Sequence, residues 1–194
     1  MKSIGKKVAN VCAVLCVLPV YGAYLILRLF LSHDHSFQGL SQFMSLFPGI
    51  LGNYLRRAFY CLTLKRCSWN CCICFGTLFS SPLAEIGSDV YIGTFCTLGD
   101  VTLGNDVLIG SNVDIINGAK QHFIDDIETP IREQGGEYPK VTIGNDTWIG
   151  NGALISCNVG KKCVIGAHSV VVKPIEDFSI AVGNPARIIK KRNE

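Results

Sequence analysis

The chain has 194 residues, of which 48% are hydrophobic and 17% charged, with a formal net charge of +3. That length fits one compact domain with an N-terminal attachment, and the composition can bury a sizeable core, which excludes a disordered chain. So small a net charge, with no basic stripe interleaved with aromatics, excludes a nucleic-acid-binding surface.

The first element is an apolar run over residues 8–31, broken by Asn10, Pro19, Tyr21, Gly22, Tyr24 and Arg28 and preceded by Lys2, Lys6 and Lys7. It is too long for the apolar core of a cleaved signal peptide, and no small-residue cleavage site is evident. As one helix it would reach about 36 Å, enough to cross a bilayer. His33 and His35, flanking Asp34, read as a polar interfacial turn. A second stretch, Phe43–Leu62, repeats apolar residues at threes and fours around Arg56 and Arg57, the pattern of an amphipathic helix on a surface. The alternative packs both helices on each other and on the globular domain. Lys2, Lys6 and Lys7 before the run and Arg56, Arg57, Lys65 and Arg66 after it both favour the cytoplasmic side. A single crossing cannot satisfy both, whereas a hairpin or an in-plane helix can, with Pro19 and Gly22 as bending points. Residues 1–66 are therefore expected to be a membrane-associating helical region, and 67–85 a lead-in strand and linker.

There are 10 cysteines, four of them clustered as Cys67, Cys71, Cys72 and Cys74. Structural zinc sites use two closely spaced pairs separated by an insert, and here one cluster stands alone. The cysteines read as small buried hydrophobes in a reducing compartment, with a lone metal site as the alternative and no metal expected.

From Ile86 the sequence acquires a period of six: Ile86-Gly87-Ser88-Asp89-Val90-Tyr91, then Ile92-Gly93-Thr94-Phe95-Cys96-Thr97, then Leu98-Gly99. The phase resumes at Leu103-Gly104 and Ile109-Gly110, breaks for a long insert, and returns at Ile143-Gly144, Ile149-Gly150, Val159-Gly160 and Ile165-Gly166. Each aliphatic residue points inward, and a small or β-branched residue four places on fills a second interior position. The glycine reflects either unusual corner dihedrals or a lack of room for a side chain. Three short strands make one triangular coil, and stacked coils bury a continuous aliphatic column. A parallel β-helix follows over 86–186, with an excursion at 119–140 and a basic tail at 187–194.

Three local motifs extend the reading: Thr147-Trp148-Ile149-Gly150, Val164-Ile165-Gly166-Ala167-His168-Ser169-Val170-Val171-Val172-Lys173, and Val182-Gly183-Asn184-Pro185-Ala186-Arg187. With the hexapeptide period they resemble the hexapeptide-repeat acyltransferases, a group that includes galactoside, maltose and streptogramin acetyltransferases and serine acetyltransferase. The resemblance implies an all-β left-handed parallel β-helix, here behind an N-terminal α-helical hydrophobic extension. It implies a homotrimer with active sites between neighbouring prisms, and acetyl-CoA as co-substrate. The branch with such an extension is linked to O-acetylation of surface polysaccharides, which implies a saccharide acceptor and a place on the cytoplasmic face of the inner membrane.

His122 opens the insert where the resemblance places the catalytic histidine. A neutral imidazole can take the proton of an acceptor hydroxyl as its oxygen attacks the thioester carbonyl, with no covalent enzyme intermediate. Asp125, Asp126 and Glu128 are the nearby groups able to orient it. The resemblance puts Trp148 and Asn151 along the pantetheine path, Ala167 at a backbone contact, and Lys173 and Lys190 at the phosphates. His168 reads as a corner residue. One departure stands out: the sugar-hydroxyl members carry an asparagine where this chain has Thr94-Phe95-Cys96-Thr97. Two rival readings are an antibiotic acetyltransferase acting on a streptogramin-like or chloramphenicol-like hydroxyl, and a β-helix scaffold without catalysis. A zinc-dependent β-helix carbonic anhydrase needs three histidines, and the repeat region has His122 and His168 alone.

Overall fold

The computed structural model describes residues 2–118 and 120–194; Met1, and Ala119 at the start of the expected excursion, lie outside the described residues. Three helices, α1 (Lys2–Leu27), α2 (His33–Ser45) and α3 (Gly49–Thr63), precede a β-solenoid of about six turns. The solenoid is the left-handed parallel β-helix implied by the resemblance.

Its prism has three faces. The first stacks Arg66–Cys67, Glu85–Ile86, Val101–Leu103 and Val141–Ile143, and single bridges extend it to Val159 and Ile175. The second runs from Cys72–Ile73 through Tyr91–Ile92, Leu108–Ile109, Trp148–Ile149 and Val164–Ile165 to Ser179–Val182. The third stacks Leu78–Phe79, Thr97–Leu98, Asp114–Ile115, Leu154–Ile155 and Val170–Val171. Within each face the strands pair in parallel and in register, so side chains of equal phase fall in columns. Ile73, Ile92, Ile109, Ile149, Ile165 and Ala181 form one such column and are wholly buried.

The corner chemistry divides between two positions that the repeat alone does not separate. The glycine after each inward aliphatic residue is a matter of space: a Cβ on Gly93 would stand 2.6 Å from the Gly110 carbonyl of the next coil. The left-handed backbone falls two residues later, on Asp89, Phe95, Asp106, Asn112, Asp146, Lys162, His168 and Phe178, all with positive φ. Asp and Asn tolerate that conformation best. A ladder of side-chain oxygens reinforces the corners: Asn105 accepts from Ser88 N at 2.9 Å, Asn145 from Asn105 N at 2.9 Å, and Asn151 from Ser111 N at 3.0 Å.

Three boundaries differ from the sequence-based expectation. Residues 67–85 are no linker: Arg66–Cys67, Cys72–Ile73 and Leu78–Phe79 form a complete first coil, paired strand for strand with the next. Its repeat is masked because cysteines, Phe79 and Thr77 stand at inward positions. The expected tail at 187–194 contains a strand, Arg187–Lys191, that pairs antiparallel with Ser179–Val182 and closes the second face. The stretch Phe43–Leu62 is not one surface helix, since the chain turns at Pro48 between α2 and α3, and Arg56 and Arg57 point inward.

Those arginines fasten a cap. An end coil exposes its aliphatic column, and here Phe59 and Tyr60 of α3 and Phe37 of α2 cover it, with Tyr60 edge-on to Phe79 at 4.8 Å. Arg56 is fully buried; it donates to Ile73 O at 2.9 Å, to Asn53 Oδ1 at 2.7 Å and to Phe47 O. Arg57 donates to Cys71 O at 3.0 Å and to Asn10 Oδ1. These residues answer backbone carbonyls and do not report on membrane topology. Four of the cysteines, Cys71, Cys74, Cys96 and Cys163, are buried, whereas Cys12 and Cys16 are exposed. Among the described residues no three metal-binding side chains converge.

Replacing Arg56 with Met should leave several buried carbonyls without donors and cost about 3 kcal/mol. Thermal unfolding should show a midpoint lower by roughly 6–12 °C; an unchanged midpoint would mean that the cap is not held by this side chain.

Candidate active site

Between the third and fourth coils the chain leaves the solenoid at Asn117-Gly118 and re-enters at Val141. The stems of this excursion are clamped. Asn117 donates to Asp100 O at 2.7 Å and to Pro139 O at 2.9 Å, and its Oδ1 accepts from Asp100 N at 2.8 Å. Lys140 reaches across two coils, donating to Leu83 O at 2.8 Å and pairing with Glu85 and Asp100, each at 3.1 Å. Further out the two arms are laced by backbone bonds, Glu137 N to Lys120 O at 2.9 Å and Phe123 N to Gly135 O at 3.0 Å. Sequence reasoning missed Lys140; the available signal was a lysine immediately before the phase returns, in the position that Asp100 takes one coil earlier.

His122 lies on the outgoing arm, exposed, next to the tight crossing where a Cβ on Gly136 would meet Gln121 O. Of the three acids considered as its partner, Asp126 is already committed. It accepts from Glu128 N at 2.9 Å, Thr129 N at 3.3 Å and Thr129 Oγ1 at 2.6 Å, which hold its carboxyl below the usual range. Gln134 completes the turn by donating to Asp126 O and Thr129 O, both at 2.7 Å. Asp125 and Glu128 remain exposed. Under the stems lies a recess of 240 Å³ between Lys120, Lys140, Cys157 and Pro174.

The residues assigned to the donor occupy other edges. Trp148 projects outward from the second face between Leu108 and Val164 and is 51% exposed. Asn151 and Ala167 sit one above the other at the corner joining the second and third faces, where Gly150 is packed against Ala167. The Oδ1 of Asn151 is occupied by the corner ladder, and its carbonyl accepts from His168 N at 2.8 Å. His168 is a left-handed corner residue stacked on Gly152. Lys173 follows the last third-face strand, and Lys190 lies on the closing antiparallel strand. Both are exposed, and among the described residues neither makes an ion pair, whereas Lys191 is tied to Glu176 at 3.0 Å. The His122 loop leaves at the third-to-first corner. Within one chain His122 thus starts from a different prism edge than Trp148, Asn151 and Ala167. At the Thr94–Thr97 departure, Phe95 is exposed and edge-on to Phe75 at 5.3 Å, and Thr97 points outward from the third face.

No family profile matches the sequence. A probable acetyltransferase of Mycobacterium tuberculosis is 39% identical over 119 residues, 60% of this chain and 38% of the relative. The galactoside O-acetyltransferase of Escherichia coli is 35% identical over 117 residues, 57% of this chain and 55% of the relative. The match thus spans between about two fifths and just over half of these relatives' lengths. Among solved structures, a maltose O-acetyltransferase from Clostridium difficile superimposes with a TM-score of 0.70 at 24% identity, covering 84% of this chain and 90% of that one. A galactoside acetyltransferase in complex with coenzyme A gives a TM-score of 0.65 at 24% identity, covering 84% of each chain.

Lys65 and Lys140 beside Glu85 hold its carboxyl below the usual carboxylate range. A depressed folded pKa makes the contribution of this knot complete above the unfolded value, about 4.3, and lost as pH falls through the folded value. Hydrogen exchange across residues 120–140, corrected for intrinsic rate, should accelerate below about pH 4. In Glu85→Gln it should already be fast at neutral pH.

Proposed function

From a chain related to the hexapeptide-repeat acetyltransferases, we propose an acetyl-CoA-dependent O-acetyltransferase acting on a saccharide hydroxyl, in the synthesis of a surface polysaccharide or glycolipid. The observation that carries this reading is the position of His122: it stands on a clamped loop thrown out between coils of a β-helix otherwise kept in unbroken register. A solenoid gains nothing from so long an excursion unless the loop does work.

In the proposed reaction the His122 imidazole takes the proton of the acceptor hydroxyl as the oxygen adds to the thioester carbonyl. The tetrahedral adduct collapses, the carbon–sulfur bond breaks, and the CoA thiolate takes up a proton. The separation of His122 from the Trp148 edge supports a site assembled between copies, in a homotrimer. Ile124, Ile127, Ile131 and Tyr138, exposed on the loop of a single chain, supply apolar surface for such a contact. Trp148, Asn151 and Ala167 would then line the pantetheine arm, Asn151 through its amide group or backbone, and Lys173 and Lys190 would meet phosphates. The apolar helices support placement at the inner membrane, on its cytoplasmic face because acetyl-CoA is expected in the cytosol.

Thiol release from acetyl-CoA, measured against a panel of saccharides with chloramphenicol and a streptogramin as controls, tests the reading. His122→Ala should lower kcat by about two orders of magnitude or more with CoA affinity retained. Activity surviving that change removes His122 from the chemistry. Turnover of the antibiotics alone makes the rival enzyme correct, and failure to bind acetyl-CoA makes the scaffold correct. Trp148→Ala should instead raise the KM for acetyl-CoA with a smaller effect on kcat.

A further inference from the structure

The helical cap turns one face toward the solenoid and leaves the opposite face bare. α1 packs against α3 and α2 through Ala13, Val17 and Tyr24, which are buried. On its far side Val8, Val11, Leu15, Leu18 and Leu25 form an exposed stripe at spacings of three, four and seven. Leu29 and Phe30, just past the helix end, are 78% and 79% exposed, and Ile50 and Leu51 at the start of α3 are 77% and 70% exposed. Two apolar grooves flank α1. One, of 260 Å³, lies on the Trp69 side, and the other, of 340 Å³, lies between Cys12, Cys16, Ile50 and Leu51. The apolar surface is thus wider than a single helix–helix seam.

Charge identifies what covers it. Apart from the buried Arg56 and Arg57, residues 1–84 contain six Lys or Arg and one acidic residue, Asp34, whereas residues 85–194 contain ten basic and fourteen acidic residues. Lys6 and Lys7 stand exposed at one end of the stripe and Arg28 at the other. Two copies meeting face to face would bring like charges together, whereas anionic lipid headgroups would neutralise them.

We propose that this face is seated in one leaflet of an anionic phospholipid bilayer, with α1 lying in the plane of the membrane and not crossing it. The inference rests on the membrane placement proposed above and supplies its geometry. Gly5–Leu27 is long and apolar enough to cross, but its length is bound to the soluble body. Lys6 donates to Asn70 at the start, and Asn10 accepts from buried Arg57 in the next turn. Near the end, the Tyr24 hydroxyl pairs with His33 at 2.6 Å, and Tyr24 packs edge-on to Phe37 of α2. A helix standing upright through the bilayer would be carried away from Asn70 and Arg57, and Arg57 would keep its burial without its amide partner. Lying flat, α1 keeps every one of these bonds and offers its stripe, the Leu29–Phe30 tip and Ile50–Leu51 to the acyl chains.

The test uses the full-length protein, exchanged from detergent, in flotation with phosphatidylcholine vesicles with and without phosphatidylglycerol. Binding to the anionic vesicles is expected, weakening as salt is raised, with release from them by alkaline carbonate. The double variant Leu15→Glu/Leu29→Glu should lose binding by at least about tenfold while its thermal midpoint stays unchanged, which separates lost docking from misfolding. Retention through alkaline extraction, with the N-terminus protected from protease, would overturn the in-plane geometry and leave membrane placement standing. Failure to float on either vesicle would overturn both, and self-association lost in the double variant would then identify a second copy as the occupant.

Discussion

The close approach of successive coils governs this molecule. Adjacent coils lie one strand spacing apart, about 4.8 Å, and at the corners backbone meets backbone with no space for a Cβ. Gly87 lies against Gly104, Gly93 against Gly110, and Gly150 against Ala167. That constraint accounts for the hexapeptide period and for the buried aliphatic columns. It also makes every interruption local: a coil either stacks in register or does not stack. The excursion before Val141 obeys this rule, because Val101–Leu103 and Val141–Ile143 pair residue for residue as if nothing lay between them. A loop can therefore be as elaborate as its chemistry requires, provided its stems are pinned. Asn117 and Lys140 do the pinning.

A stack also has ends, and the two ends are finished differently. At the carboxyl end the chain doubles back through the cis Asn184–Pro185 bond into an antiparallel strand, occupying backbone groups that another coil would have used. At the amino end the terminal coil is covered by α3 and α2, whose aromatic residues bury the column and whose arginines answer carbonyls of the coil and the turn. A guanidinium suits this task, since several donors in a fixed fork can meet carbonyls that point in different directions.

How much of this was legible in the sequence depended on how strictly each position was constrained. Ile86 to Ile115 and Ile143 to Val171 declared themselves because an inward position accepts few residue types and the glycine accepts one. The first coil escaped notice because Cys71, Thr77 and Phe79 fill inward positions without the Ile-Gly signature; Thr77 instead donates to Gly93 O at 2.6 Å and is satisfied internally. The glycine carried two possible meanings, room or dihedral, and the sequence could not separate them. In the folded chain the glycine answers the lack of room and the residue two places on takes the dihedral, including such unexpected occupants as Phe95 and His168. Arg56 and Arg57 were misread for a related reason: two adjacent positive charges in an apolar helix look like surface charge until the acceptors, scattered over Met44 to Ile73, are brought together by folding.

The candidate site shows the same dependence on distance. His122 is singled out by its place at the mouth of the insert, and the Trp148, Asn151 and Ala167 positions by local motifs, yet nothing in the sequence tells which prism edge each occupies. The edges follow from counting strands around the coil. His122 belongs to the corner after the third face, Trp148 to the second face, and Asn151 and Ala167 to the corner between them. These positions therefore start from different edges of the triangular prism. A second prism set beside the first can bring one copy's loop to another copy's second face. The same axial geometry that forbids a Cβ between coils thus keeps these residues on different edges of the solenoid. It also limits what the loop must do. Asp126 and Gln134 fix its turn from within, so that the apolar residues at its surface and the histidine on its outgoing arm are held as one preorganised unit.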